Sequence, residues 1–228
     1  MKAVISEIFK SIQGEGPNIG APSVFVRFGG CNLRCTFCDT AYSSFPEYAG
    51  NWISLEVSEI IRKIHEIRGS AYNLVLTGGE PLLQQKALKE LIGKVQSFFP
   101  SIEVETNGTI LPMELFEMPN IFYNVSVKLA NSGVKEEQRI VDEPLDFFSN
   151  YERAYFKFVV EDEKDVKEVL RIVEKYYISP QRVLLMPLSA NPVQLEDNAN
   201  KVIELCLKYG FRYSDRLHFR LFGGKRGM

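Results

Sequence analysis

Three cysteines within eight residues are the strongest chemical signal in this 228-residue sequence. Cys31, Cys35 and Cys38 have the spacing Cys-x3-Cys-x2-Cys, whereas the fourth cysteine, Cys206, lies far along the chain. Thiolates are soft ligands for iron–sulfur clusters, zinc or copper, and this clustering favours a metal site over a disulfide framework. A closed zinc site needs four ligands, and no fourth Cys or His lies nearby. A 4Fe-4S cluster held by three thiolates would leave one iron open to an exogenous ligand. The alternatives are a site completed by a partner chain and an incidental cluster of cysteines.

Phe37, directly before the last cysteine, completes a motif that resembles the signature of the radical S-adenosylmethionine (SAM) enzymes. In that superfamily the open iron binds the amino and carboxylate groups of SAM. An electron from the cluster then cleaves SAM to methionine and a 5′-deoxyadenosyl radical. The resemblance implies a 4Fe-4S cluster on the three cysteines and a SAM site that includes Phe37.

A second motif, SIQGEGP, lies at residues 11–17, before the cysteines. Its Gly and Pro residues predict that Phe9–Pro17 is a loop, and turn chemistry alone favours a surface turn. At this distance before the first cysteine, however, the motif closely resembles the 7-carboxy-7-deazaguanine synthase family. Members of that family convert 6-carboxy-5,6,7,8-tetrahydropterin into 7-carboxy-7-deazaguanine, with ring contraction and loss of ammonia.

The family resemblance implies a substrate site made from this loop and the strand that we predict at Ser23–Phe28. Amide and carboxylate groups can pair with the donors and acceptors of a pterin edge, and an arginine suits the substrate carboxylate through a bidentate fork. For the arginine, a surface charge at a strand end is the alternative. The resemblance assigns substrate contacts to Ile12, Gln13, Gly14, Glu15 and Arg27.

The same resemblance assigns Mg²⁺ to Thr40, two residues after the last cysteine. Mg²⁺ prefers oxygen ligands and keeps few protein contacts, so a single hydroxyl is chemically reasonable. Without the resemblance, a threonine in a loop would indicate only a turn.

The next predicted strand, Asn73–Leu76, ends in the sequence TGGEP at residues 77–81. Paired glycines let a backbone approach a ligand closely, and this segment resembles the superfamily's GGEP element. The resemblance implies that Thr77 contacts the substrate and that Gly78, Gly79 and Glu80 contact SAM.

Two later strand ends also resemble elements of the family. The sequence ETNGT implies SAM contacts for Glu105 and Asn107, although Asn-Gly is equally typical of a turn. The sequence VSVKLANSG implies SAM contacts for Ser126 and Lys128, with Val127 where the family usually has Pro.

The C-terminal segment has an alternating pattern that we interpret as a strand carrying His218, followed by a Gly, Lys and Arg end. The resemblance assigns substrate contacts to His218 and, through the terminal carboxylate, to Met228. A frayed terminus is the alternative.

The order of elements predicts an α/β fold. Six strands alternate with helices, which indicates a mostly parallel sheet with right-handed crossovers. We expect a partial, curved (β/α) barrel of about six mostly parallel strands, the reduced radical SAM core. Residues 1–228 would be a single radical SAM domain, with N-terminal and C-terminal segments contributing to the substrate pocket. We further expect an irregular loop at 41–53, a helix capped by Ser54, and a loop or short helix at 133–150.

Composition limits the classes of partner. The net charge of −2 gives no strong attraction to nucleic acid, and no apolar run approaches the ~18 residues of a membrane span. The acidic N-terminal start lacks a signal-peptide core, so we expect a cytoplasmic protein. From the resemblance we also expect a flavodoxin- or ferredoxin-like electron donor and a homodimer. We predict that Cys206 is a core residue and that His65 faces solvent.

Three other functions remain open from the sequence. A glycyl-radical-enzyme activase shares the cysteine spacing, but its protein substrate would leave Gln13, Glu15 and Arg27 without a small ligand. A non-catalytic iron–sulfur protein would not cleave SAM, and a zinc-binding protein would lack the brown colour of a cluster. The sequence identifies no general base, and it leaves open whether the product enters queuosine, archaeosine or secondary-metabolite biosynthesis.

Overall fold

The computed structural model describes residues 1–115 and 121–227, which form one sheet of nine strands alternating with helices. The strands, β1 to β9, are Lys2–Ile12, Pro22–Phe28, Ile53–Glu56, Asn73–Gly78, Ser101–Thr106, Ile121–Ser126, Ala154–Val160, Val183–Pro187 and Arg212–Tyr213. The helices, α1 to α8, are Ala41–Ser44, Val57–Arg68, Gln85–Val95, Glu136–Arg139, Asp142–Asn150, Glu163–Lys175, Pro192–Tyr209 and Leu217–Phe222.

The strand order is β3-β1-β2-β4-β5-β6-β7-β8-β9. Every pair from β2 to β9 is parallel, whereas β1 pairs antiparallel with both β2 and β3. Six long parallel strands therefore form the expected core, and the prediction of about six strands missed β1, β3 and β9. Since β3 and β9 are the edges, the sheet is open, which fits a partial barrel and not a closed one.

Most positions of the parallel strands are apolar because both of their faces are covered. Leu74, Val75 and Leu76 on β4 are all completely buried. The helices contribute apolar stripes at helical spacing, such as Leu88 and Leu91 on α3. One core joins these elements and includes Cys206, which confirms the prediction for that residue. His65 is exposed, as predicted.

Two N-terminal expectations are wrong. The predicted loop at Phe9–Pro17 begins only at Gln13, because antiparallel pairing with β2 keeps β1 extended to Ile12. Ser54 lies in β3 and does not cap a helix. Glu56 caps α2 instead, in a capping box with Glu59.

Three further segments are more regular than predicted. Residues 41–53 contain α1 and a 3-10 helix at Pro46–Asn51, and residues 133–150 contain α4 and α5. The C-terminal segment with His218 is the helix α8, not a strand, because its backbone bonds internally, as from Gly223 N to Phe219 O at 2.9 Å. None of the described helices is long and apolar enough to cross a membrane.

The exits of β2 and β4 are in direct backbone contact. Gly79 N donates to Phe28 O at 3.1 Å, and Glu80 N donates to Gly30 O at 2.8 Å. A Cβ added at Gly79 would lie 2.0 Å from Gly30 O, closer than any side chain can approach. The two glycines of the TGGEP segment thus allow it to pack against the cysteine loop.

We predict that Gly79→Ala lowers the free energy of unfolding by about 2 kcal/mol or more, because backbone must move to admit the methyl group. Gly50→Ala is the matched control, since a Cβ at Gly50 meets no atom within 4 Å. Urea denaturation of the two variants beside the parent protein measures the difference. Equal midpoints for both variants would show that the contact is not tight.

Candidate active site

One cavity lies at the carboxyl ends of the parallel strands, where parallel α/β sheets place their ligands. The structure brings almost all of the predicted site residues to its lining. Glu80 lies just behind it, completely buried, and Met228 lies outside the described residues. The lining includes Ile12, Gln13, Gly14, Glu15, Arg27, Cys31, Cys35, Phe37, Cys38, Thr40, Thr77, Gly78, Gly79, Glu105, Asn107, Ser126, Lys128 and His218.

The three cysteines are free thiols on the loop that follows β2. Leu33 N donates to Cys31 Sγ at 3.4 Å, and the hydroxyls of Thr40 and Ser44 lie 3.8 and 3.7 Å from Cys38 Sγ. Burial raises the pKa of Cys31 to about 11 and also raises that of Cys35. Donors around the sulfurs suit thiolate ligands, so the donor set fits an iron–sulfur cluster.

The number of thiols argues against a closed zinc site, which needs four converging ligands. Within the described ranges, the three cysteines do not form, alone or with a His, Asp or Glu, a group whose ligand atoms all lie within 4.8 Å of one another. Three thiols suit a cluster with one open iron better than a closed zinc site.

Glu15, Asp39 and His218 do converge within 4.8 Å, but cations already neutralise the two carboxylates. Lys157 Nζ donates to Glu15, and Arg216 donates to both Glu15 and Asp39. Although burial alone would raise it, these cations hold the pKa of Glu15 well below its ordinary value. Burial lowers the pKa of His218. The cluster is therefore an ion-pair network and not a cation site.

Glu80 connects the TGGEP segment to the end of β5. Its carboxylate accepts from Leu82 N at 3.0 Å, from Thr106 Oγ1 at 2.9 Å and from Asn107 N at 2.7 Å. Burial raises its pKa to about 7. Asn107 Nδ2 in turn donates to Asn32 Oδ1 at 2.9 Å, which ties β5 to the cysteine loop.

Arg27 has a fixed orientation on the cavity wall. Its Nε donates to Glu7 Oε1 at 2.7 Å, and the Tyr42 hydroxyl donates to the same oxygen at 2.7 Å. The guanidinium lies over the rings of Phe9 and Tyr42 at 5.8 and 5.9 Å. Although burial opposes it, the neighbouring Tyr42 and Glu7 raise the pKa of Arg27, so the side chain is cationic.

A second polar wall joins the β1–β2 loop to β4 and β5. Gln13 Nε2 donates to Glu103 Oε1 at 2.8 Å and to Glu105 Oε1 at 3.0 Å. Thr77 Oγ1 donates to the other oxygen of Glu105 at 2.6 Å. Glu105 is therefore bonded to Gln13 and Thr77, to both of which the family resemblance assigns substrate contacts.

Ser126 and Lys128 meet at the exit of β6, where Lys128 Nζ donates to Ser126 Oγ at 2.7 Å. This pair presents one cation and one hydroxyl to the cavity. Val127, which replaces the usual Pro of the family element, is buried in the core.

Sequence reasoning missed several polar residues of the site. Glu103 could have been found, because it lies two residues before Glu105 and strand geometry puts both on one face. Lys157 is a lone cation within an apolar strand, which is a weaker signal. Asp39 and Arg216 gave no signal of their own.

Comparison with known proteins identifies the family. Residues 25–188 match the Radical SAM superfamily. A 7-carboxy-7-deazaguanine synthase from Pyrobaculum aerophilum is 40% identical over 225 residues, which cover 98% of this chain and 96% of that protein. The chain belongs to the 7-carboxy-7-deazaguanine synthase family. A synthase from Hyperthermus butylicus is 37% identical, over 94% of this chain and 90% of its own.

The crystal structure of QueE from Escherichia coli is similar to the structure of this chain, with a TM-score of 0.74 and 26% sequence identity. The match covers 96% of this chain and 95% of that one. These similarities extend beyond residues 25–188 into both terminal segments, and they do not favour the activase or the non-catalytic alternatives. The family is one of radical SAM lyases, which implies a 4Fe-4S cluster and SAM.

We predict a specific pH dependence of stability from Glu103. Burial, and then the charge of Glu105, raise the pKa of Glu103 to about 7. The folded state then binds a proton that the unfolded state has lost, so stability falls as the pH rises from about 4.5 to 7. Glu103→Gln should remove this part of the fall, up to about 1.4 kcal/mol per pH unit.

Thermal or urea unfolding across pH 4.5–8, for Glu103→Gln beside the parent protein, measures the effect. Glu80 contributes equally to the pH dependence of both proteins, so their difference reports on Glu103 together with its interaction with Glu105. The free energy of unfolding of Glu103→Gln, relative to that of the parent protein, should rise up to about pH 7 and then stay constant. A difference independent of pH would contradict the prediction.

Proposed function

We propose that this protein converts 6-carboxy-5,6,7,8-tetrahydropterin into 7-carboxy-7-deazaguanine, with ring contraction and release of ammonia. The observation that supports this most is the composition of one cavity. Its lining combines the cysteine loop with carboxylates, a hydroxyl and a guanidinium, the groups that a carboxylated pterin would need.

The cofactors fit the residues described above. Cys31, Cys35 and Cys38 would hold a 4Fe-4S cluster, and the backbone of Gly78–Glu80 with Lys128 would hold SAM. When bound, the cluster and SAM supply a carbon-centred radical able to remove a hydrogen atom from the substrate. The Thr40 hydroxyl would hold Mg²⁺, which prefers oxygen ligands.

Glu105 suits the 2-amino and N3–H edge of a tetrahydropterin. Two neighbouring donors can pair with the two oxygens of one carboxylate. Gln13 and Thr77 each donate to one oxygen of Glu105, which fixes the carboxylate plane and leaves further lone pairs for a ligand. These bonds favour a substrate role for Glu105, in place of the SAM role expected from the sequence.

Arg27 would bind the substrate carboxylate. Its Nε is occupied by Glu7 and Arg27 lines the cavity, so its two terminal nitrogens would form the fork that binds the carboxylate. A guanidinium that is already oriented loses little conformational entropy on binding. Glu15 stays ionised beside Lys157 and Arg216, so it can accept a hydrogen bond from a ring N–H of the substrate.

The remaining expectations concern assembly and redox supply. We retain a single domain over residues 1–228, with both terminal segments in the substrate pocket, a homodimer, and an electron donor of the flavodoxin or ferredoxin type. The cavity draws lining residues from 9–15 and 216–227, on either side of the matched superfamily region.

We predict that anaerobically reconstituted protein forms 7-carboxy-7-deazaguanine and 5′-deoxyadenosine from the pterin and SAM, as measured by mass spectrometry. Cys31→Ala should abolish both products, because two thiolates cannot hold the cluster. Cys206→Ala is the control, since this thiol is buried on α7 and should leave turnover intact. Parent protein that forms no deazaguanine product would refute the proposed function.

We predict that Arg27→Lys raises KM for the pterin roughly tenfold or more, because losing a charge-assisted hydrogen bond costs about 1.5–3 kcal/mol. KM for SAM should stay unchanged. Arg62→Lys is the control, because Arg62 is an exposed residue that pairs with Glu66 on α2. Steady-state kinetics in the pterin and in SAM separate the two effects, and an equal rise in both KM values would argue against a carboxylate contact.

A further inference from the structure

Glu103 is a completely buried carboxylate to which the proposed chemistry gives no role. No salt bridge to Glu103 occurs among the residues that the structure describes. Its partners are the side-chain amides of Gln13, Asn18 and Asn124, which donate at 2.8, 2.9 and 3.0 Å. A buried carboxylate without a cation costs stability, so its presence calls for a functional explanation.

The amide of Gln13 is fixed at both of its ends. One proton of Nε2 goes to Glu103 and the other goes to Glu105, while its Oε1 accepts from Glu15 N at 3.3 Å. Two carboxylates can face only the NH2 end, so the orientation of the amide is determined. Gln13 cannot donate to a substrate without breaking one of these bonds. Its side chain therefore serves to join the two carboxylates.

Glu103 also holds the hairpin loop between β1 and β2. Its second oxygen accepts from Asn18, and backbone bonds from Gln13 N to Ala21 O and from Gly20 N to Gln13 O close the loop at 2.8 and 2.7 Å. Glu103 thus binds one residue at the start of the loop and one near its tip. The same loop carries Glu15.

Asn124 is the third amide that donates to Glu103, and its own oxygen is left unsatisfied by the residues that the structure describes. It is 1% exposed, and its Oδ1 has no hydrogen-bond partner within the described part of the chain. An unsatisfied buried acceptor costs about 1–3 kcal/mol. The hairpin packs directly against this amide, because a Cβ added at Gly16 would lie 2.2 Å from Asn124 Nδ2. The amide of Asn124 therefore keeps its donor bond to Glu103 although its own oxygen has no partner among the described residues.

We propose that Glu103 is a positioning residue for the pterin. Through Gln13 it holds the Glu105 carboxylate at the cavity wall, and through Asn18 it holds the hairpin that carries Glu15. The inference rests on the proposed function, because it concerns the substrate side of that site. Glu103 does not line the cavity and acts only through its neighbours.

The test compares two substitutions in the reconstituted holoenzyme. Glu103→Met approximates the side-chain volume but removes every acceptor, so the amides of Gln13, Asn18 and Asn124 lose their bonds to this position. We expect KM for the pterin to rise at least roughly tenfold, the equivalent of about 1.4 kcal/mol. KM for SAM should stay within twofold, and the ratio of 5′-deoxyadenosine to deazaguanine product should rise, because the substrate is held less well.

Glu103→Gln is the conservative variant. It keeps an acceptor for Gln13, and Asn18, which is half-buried, can turn its amide to accept from the new NH2 group. We expect its KM for the pterin to lie between those of the parent protein and Glu103→Met. Such a partial rescue follows from the bonding to Gln13, whereas a role in core packing alone would not produce it.

Asn73→Ala is the control for general loss of stability. Asn73 is completely buried at the opposite end of β4, where its amide donates to Ser23 Oγ at 2.9 Å. It should lower the unfolding midpoint without changing the ratio of the two KM values. Asn18→Ala should raise KM for the pterin by less than Glu103→Met does. If Glu103→Met fails to accumulate, Asn18→Ala and Glu103→Gln are the variants that test the proposal.

Two negative results are distinguishable. If the parent protein forms no deazaguanine product, the proposed function fails whatever Glu103 does. If the parent turns over but Glu103→Met, or Asn18→Ala in its absence, keeps a parental KM for the pterin, the positioning role alone is overturned. A parallel rise in both KM values would likewise overturn it, because it would indicate general disruption of the cavity.

Discussion

The close backbone contact between the exits of β2 and β4 determines the geometry of the whole site. Two hydrogen bonds join Gly79 and Glu80 to Phe28 and Gly30, and only a residue without Cβ fits at Gly79. This contact sets the distance between the cysteine loop and the segment that would meet SAM. Glu80 then extends the connection to β5 through Asn107 N. Three successive strand ends are therefore held together before any ligand binds.

The side of the cavity that we propose for the substrate is lined by charges that the protein pairs internally. Glu15 is held by Lys157 and Arg216, and Arg27 is held by Glu7. Each pairing fixes a polar group that would otherwise lose orientation or its charge on burial. A polar ligand thus meets groups that are already oriented. Such groups interact strongly with a ligand in a site from which water is partly excluded, because they need not reorganise.

Local motifs predicted much of this arrangement. The cysteine spacing, the SIQGEGP loop and the TGGEP segment each lie at a strand end, and parallel pairing brings strand ends together without further information. Runs rich in β-branched and aromatic residues, bounded by Gly, Pro or polar turn residues, predicted β2 and β4 to β8. The polar members of β5 and β7 were harder to interpret, because only the folded sheet shows that their faces meet.

The remaining errors have physical causes that a single sequence does not reveal. Arg216 contacts Glu15 from 201 residues away, and such a pair leaves no local pattern. The end of β1 is extended because β2 pairs with it, whereas its own Gly and Pro neighbours favour a turn. The short segment Leu217–Phe222 alternates like a strand, yet it folds as a helix that packs Phe219 into the protein.

The long separation between Glu15 and its cations also bears on the order of synthesis. A growing chain releases Glu15 and the cysteine loop early, but Lys157 emerges much later and Arg216 later still. Until then the β1–β2 loop carries an acidic group without its partners, in a position that burial would penalise. The charge pairing of Glu15 can therefore be completed only near the end of translation, whereas the backbone contact between the cysteine loop and the exit of β4 can form much earlier.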